Sequence, residues 1–404
     1  MARHYLDHAS TTPLRPEART AMRSWDDLGV TADPGRVHTE GQMVRAALEE
    51  AREQVAALFD VRPRQVILTS GGTESINSAV WGVVAGIDPA AGEQSAAGSP
   101  SGSPSGSASG SAPVACADVE HSAVRDASAR HGVVVRIDVD GSGRIHPAAV
   151  ADAVARSTAE YGRAPVLVHC QAANHEVGTV QDVAGVVELC RALGIPVHVD
   201  AASAAGYLGL DLGASGADLV SVSAHKLGGP AGIGALLLRR GLRVDPLLVG
   251  GEQERGRRAG LENVIGAIGF GAAAAALAEP GRRSEEAQTA RRHTERLLEA
   301  ACAVDGVVPY GDTIDRVPHI VCVGIAGVEA EPVLLGLDQS GVAVHSGSAC
   351  SSESLEPSPV LEAMGVDGER SLRLSVGWST TDADIDAFAG AFAGVVGRLR
   401  NLAN

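Results

Sequence analysis

The chain has 404 residues, 45% of them hydrophobic and 20% charged, enough apolar material for an ample core and more than one domain. A net charge of −16 argues against nonspecific nucleic-acid binding, which relies on a basic surface, although an acidic body can still dock a basic partner. Six cysteines in so long a chain are no disulfide framework, and none show CxxC spacing, so no metal site is expected within one chain.

The N-terminus has no apolar h-region, and the chain's least polar stretch, 264–278, is too short and alanine-rich to span a bilayer, so a cytoplasmic protein without membrane contact is expected. Helical periodicity runs over 43–59, with Val44, Leu48, Val55 and Leu58 on one face. Apolar strands follow near 66–69, 114–119, 133–137, 166–170, 196–200, 218–223 and 233–238, with helices between most of them. That alternation predicts an α/β fold with a mainly parallel sheet covered on both faces. The segment 90–113 is built from serine, glycine, alanine and proline and is expected to be a disordered insertion. Helices over 263–278 and 284–301, strands near 319–325 and 371–376 and a terminal helix predict a smaller α+β domain.

Lys226 is the only lysine among 33 basic residues. Arginine serves most surface roles, but only a lysine amine is readily deprotonated, as Schiff-base chemistry requires. Lys226 follows an apolar run and precedes Gly228, Gly229 and Pro230, which places it at a strand end, where parallel sheets carry their active sites. Asp200 ends another apolar run; it is either a turn cap or the acid that keeps a pyridinium nitrogen protonated. A third part is the strand 66–69, then Gly71, Gly72 and Thr73 opening a helix over 74–84, a candidate phosphate cradle. Cys350 differs from Cys116, Cys170, Cys190, Cys302 and Cys322, which sit among apolar neighbours and read as core residues. It lies in a small, polar, serine-rich stretch, where an exposed thiol favours a reactive role.

These residues resemble the pyridoxal-phosphate cysteine desulfurases of the NifS/IscS type, within the class-V aminotransferases. The resemblance runs through 5–13 (Tyr-Leu-Asp-His-Ala-Ser-Thr-Thr-Pro), 69–75, Glu120 and His121, 174–178 (Asn-His-Glu-Val-Gly), 198–201, His225 and Lys226, 347–352 and 372–375. It implies an aspartate-aminotransferase-like fold, type I: a large domain over 14–260, and a small domain from 1–13 and 261–404 carrying the Cys350 loop. It also implies that Lys226 bonds pyridoxal 5'-phosphate, Asp200 holds the ring nitrogen and His121 stacks on the ring. Gly72, Thr73, Ser223 and His225 would hold the phosphate, and Ser203 stands where a glutamine usually meets the ring hydroxyl. Asn174, His175 and Arg373 would meet the substrate, and Cys350 would be the nucleophile. L-cysteine as substrate, a sulfur-acceptor protein as partner and a homodimer are implied in turn.

Four positions depart from the family pattern: His175 replaces an asparagine, Ser203 a glutamine, Leu261 a phosphate-binding threonine and Asp33 an asparagine. Two alternatives remain at this level. One is a related lyase or aminotransferase, such as a selenocysteine lyase; the other is a non-catalytic interaction protein on the same fold.

Overall fold

A computed structural model describes residues 3–87, 112–209, 215–346 and 358–403. Its main sheet has seven strands: β2 (Val66–Thr69), β3 (Pro113–Ala117), β4 (Val133–Ile137), β5 (Leu167–His169), β6 (Val197–Asp200), β7 (Leu219–Ser223) and β8 (Gly234–Leu238), in the order β2-β8-β7-β6-β5-β3-β4. Only β8 runs against its neighbours. Because β8 opposes both β2 and β7, those two are parallel to each other and to the rest. Every other strand of the sheet therefore ends on one side, and the segments leaving β2, β3, β5, β6 and β7 converge there. β2, β3, β7 and β8 are buried at every residue, as expected where helices cover both faces.

β3 begins at Pro113, paired with Val133, and Ala112 is buried, its carbonyl accepting the Val133 N–H, so the last two residues of the expected insertion are ordered parts of the sheet. The rest of 90–113 lies outside the described residues.

The second body is built on β12 (Ser371–Ser375), β10 (Ile320–Ile325) and β9 (Val307–Tyr310), all antiparallel. The N-terminal strand β1 (His4–Tyr5) pairs in parallel with β11 (Val342–Ala343), and Leu6 packs with Val323, Leu374 and Phe388. The first residues are thereby sewn to sequence more than three hundred positions away.

The helix Val264–Ala278 lies just beyond the expected boundary at residue 260. It packs against α1 (Pro16–Asp27) and α2 (Thr39–Leu58), and Ala267, Phe270, Ala274 and Leu277 share a buried cluster with Leu48, Ala51 and Val55 of α2. Its small residues explain the placement. A side chain on Gly271 would meet Ala51 Cα at 2.7 Å, so the helix pair approaches closely only because that position is bare. Among the cysteines, Cys116, Cys170, Cys190 and Cys322 are buried as expected, whereas Cys302, at the end of the helix Arg282–Cys302, is exposed.

Candidate active site

Five strand ends build one pocket. β7 runs into a short turn over Ala224–Lys226, so Ser223, His225 and Lys226 arrive together. β6 delivers Asp200, with Ala202 and Ser203 in the turn behind it; Asp200 Oδ1 accepts the N–H of Ala202 at 2.9 Å and fixes that turn. β2 delivers Gly72 and Thr73 at the start of α3 (Gly72–Ile87), whose opening N–H groups have no acceptor within the helix. His121 follows β3, and Gln171 and His175 follow β5. Lys226 Nζ lies 3.5 Å from Ser203 Oγ.

The glycine turn is held tightly. A Cβ on Gly234 of β8 would meet Gly71 Cα at 2.7 Å, so strand and turn share a space only glycine leaves open. Glu74 Oε2 accepts the Ser70 N–H at 2.8 Å, and Arg258 Nε reaches Glu74 Oε1 at 2.9 Å. An arginine is thus tied to the first turn of the helix that would face a phosphate.

The imidazoles are in defined states. His121 Nδ1 accepts the Ala123 N–H at 3.1 Å, capping the helix Ser122–His131, and its ring meets that of His175 edge-on at 5.1 Å. Burial lowers the His175 pKa well below the ordinary value, with the charges of His121 and Lys226 acting the same way. Burial, followed by the Lys226 charge, brings His225 down to about 4; its Nδ1 lies 3.1 Å from Thr11 Oγ1. The rings of His175 and His225 are therefore neutral near pH 7.

Arg373, in the middle of β12, is 1% exposed. Its Nη2 donates to Asp7 Oδ1 at 2.9 Å and Ser10 Oγ at 2.8 Å, and Nη1 to the His175 carbonyl at 3.0 Å. Its Nε is buried without an acceptor. Asn174 does not line the pocket. Its Oδ1 takes the N–H groups of Glu176 and Val177 and its Nδ2 donates to the Val119 carbonyl, which makes it the brace of the turn presenting His175. Cys350 lies outside the described residues.

Sequence reasoning missed three groups. Gln171 lines the pocket and donates to the Val119 carbonyl at 3.0 Å; its signal was a polar residue directly after a buried strand. His8 and His319 approach Lys226 from the side of Tyr207, whose ring stacks on His319 at 3.9 Å. Glu120, read only as part of a motif, is fully buried. Burial, and then the charge of Asp200, pushes its pKa up to about 8.

The model of the family described as "Aminotransferase class-V" matches residues 4–92 and 111–388, and the chain belongs to that family. Within it, the chain is 36% identical over 411 residues to the "IscS-like cysteine desulfurase" of Mycobacterium tuberculosis, covering 99% of this chain and 98% of that one. It is 34% identical to "Cysteine desulfurase IscS" of Dictyoglomus turgidum over 98% of this chain and 95% of the relative. Among solved structures, a "NIFS-like protein" superposes with a TM-score of 0.83 at 26% identity, covering 98% of this chain and all of that one. "SspA in complex with cysteine" does so with 0.74 at 25%, covering 93% and 99%. The mainly parallel sheet is that of fold type I.

Proposed function

We infer that the chain is a cysteine desulfurase that uses pyridoxal 5'-phosphate and passes sulfur from L-cysteine to Cys350. The observation that carries this reading is the convergence of the only lysine with Asp200, His121, Ser223, His225 and the Gly72 and Thr73 helix start in one pocket. The residues fit the cofactor: an amine, an acid at the neighbouring strand end, an imidazole and a helix N-terminus supply what its aldehyde, ring nitrogen, ring face and phosphate require. When bound, it supplies an electron sink that loosens the bonds at the substrate Cα.

The chain's own residues do the rest. Lys226 Nζ yields its place to the substrate amine and then carries the Cα proton, a step for which a free primary amine is required. Arg373 holds the substrate carboxylate, for which its buried guanidinium and unused Nε are suited. His121 lines the space around the substrate, and neutral His175 does so without adding charge. The Cys350 thiolate attacks the substrate sulfur, the Cβ–S bond breaks, and the products are L-alanine and a Cys350 persulfide. That persulfide is the form handed to a sulfur-acceptor protein.

We also assign a homodimer in the cytoplasm. Exposed Leu248, Val249, Leu261 and Ile265, close in sequence beside the pocket-bracing Arg258, support a covered face there. No single helix among the described residues is long and apolar enough to cross a membrane. The small domain, on the same reading, comprises 1–13 and the chain beyond the helix Val264–Ala278.

Product analysis tests the assignment. Alanine should appear in step with transferred sulfur, and Cys350→Ser should bind cofactor and L-cysteine yet release almost no alanine. Full turnover by that variant would defeat the persulfide step.

A further inference from the structure

A second cleft, separate from the Lys226 pocket, is lined by Arg144, His146, Asp182, Arg291, Asp315 and Arg316 and encloses about 480 Å³. Its cations are treated unequally. Arg144 is neutralised by Asp312 at 2.7 Å and Asp315 at 3.2 Å, and His146 faces Asp140 at 2.8 Å. Among the described residues, no carboxylate lies within ion-pair distance of Arg316 or Arg291.

Arg316 is the anomaly. It is 6% exposed, its Nη1 donates only to Thr294 Oγ1 and the Ile320 carbonyl, and its Nε is buried with no acceptor. A buried guanidinium without a counter-charge carries a desolvation cost of several kcal/mol in general, which is why such groups are nearly always paired. Arg291 worsens the position instead of relieving it. Its Nη2 donates to the Arg316 carbonyl at 2.8 Å, bringing a second unpaired cation to the same wall. Burial and then the Arg291 charge lower the Arg316 pKa to about 10, against a smaller opposing effect of Glu295, so Arg316 remains charged near neutrality.

We propose that this cleft binds a small oxyanion, a phosphate or a carboxylate, between the guanidinium groups of Arg316 and Arg291. A planar guanidinium with free N–H groups matches the two-oxygen edge of either anion, and the enclosed volume admits a small metabolite. The cleft is wired to the catalytic pocket through the backbone. Thr179 and Arg316 form a β-bridge, the Val317 N–H donates to the Gly178 carbonyl, and the Val180 N–H donates to the Asp315 carbonyl. The same short segment begins at Ala173 and His175, which line the Lys226 pocket. An anion seated on Arg316 thus rests on a segment bridged to the turn that presents His175.

The test uses the full-length, cofactor-loaded protein at constant ionic strength, titrated by calorimetry with inorganic phosphate and, separately, with succinate. At least one should bind saturably at one site per chain, and which one does separates a phosphate from a carboxylate ligand. Arg291→Gln and Arg316→Gln should each weaken that binding at least about tenfold, the usual scale for losing a charge-assisted bond. Arg291 is only partly buried, so its variant decides the matter even where Arg316→Gln fails to fold. Saturable binding of neither anion, or unchanged binding in Arg291→Gln, overturns the proposal. Because the Gly72 and Thr73 cradle is untouched by these substitutions, phosphate bound there would persist in both variants and reveal itself as binding at the cofactor site.

Discussion

The amine of Lys226 lies 3.5 Å from the hydroxyl of Ser203, across the turn that Asp200 closes. The contact joins two strand ends and sets the lysine beside a short polar side chain, where the family pattern has a longer one.

Lys226→Arg should abolish the visible absorbance of the protein–cofactor Schiff base, since no other lysine exists in the chain. Borohydride reduction of the parent followed by peptide mass spectrometry should place the label on Lys226 alone. A normal visible band in the variant would remove Lys226 from the site.

Glu120 should make the protein less stable as pH rises. Its folded pKa of about 8 lies above the ordinary 4.5, so between those values the folded chain holds a proton that the unfolded chain has lost. The stabilisation is complete below about pH 4.5 and disappears as pH climbs towards 8. Glu120→Gln keeps an acceptor for the Gln171 N–H and removes the titration. The melting temperature of the variant relative to the parent should therefore rise from pH 5 to pH 8; a difference independent of pH would contradict the assignment.

Arg52 and Glu254 form a buried two-bond ion pair, at 2.6 and 2.8 Å, and Glu254 also accepts the Leu68 N–H at 3.0 Å. Glu254 stands in the left-handed region at φ 49°, which a non-glycine residue tolerates only when its contacts hold it. Arg52→Ala strands a buried carboxylate and should cost about 3–5 kcal/mol in urea unfolding. Arg52→Met combined with Glu254→Gln should recover much of that loss, because the charge is gone and an oxygen still faces Leu68.

Leu261 is 64% exposed and lacks the hydroxyl that a threonine would offer a phosphate. Leu261→Thr should tighten pyridoxal phosphate by about tenfold, on the scale of one charge-assisted bond, as measured by cofactor dissociation under dilution. Equal dissociation constants would mean that groups already present, such as Arg258, saturate the phosphate.

Residue pattern alone exposed the strands, because buried parallel strands must be continuously apolar and each is closed by a glycine or polar turn. It also exposed Lys226, Asp200 and the Gly72 and Thr73 helix start, since their chemistry demands particular residue types at strand ends. What it did not determine depends on distance in space. Val264–Ala278 follows the expected domain boundary in sequence, yet Gly271 lets it settle on Ala51 of α2. Asn174 shared a motif with the pocket residues, yet its amide is consumed by the turn it braces. His319 and Arg316 carry no local signature at all, and the motif that holds Glu120 says nothing of its raised pKa. A carboxyl, an imidazole or a guanidinium acquires its chemistry from burial and from the charges that folding brings near it, and no reading along the chain contains those neighbours.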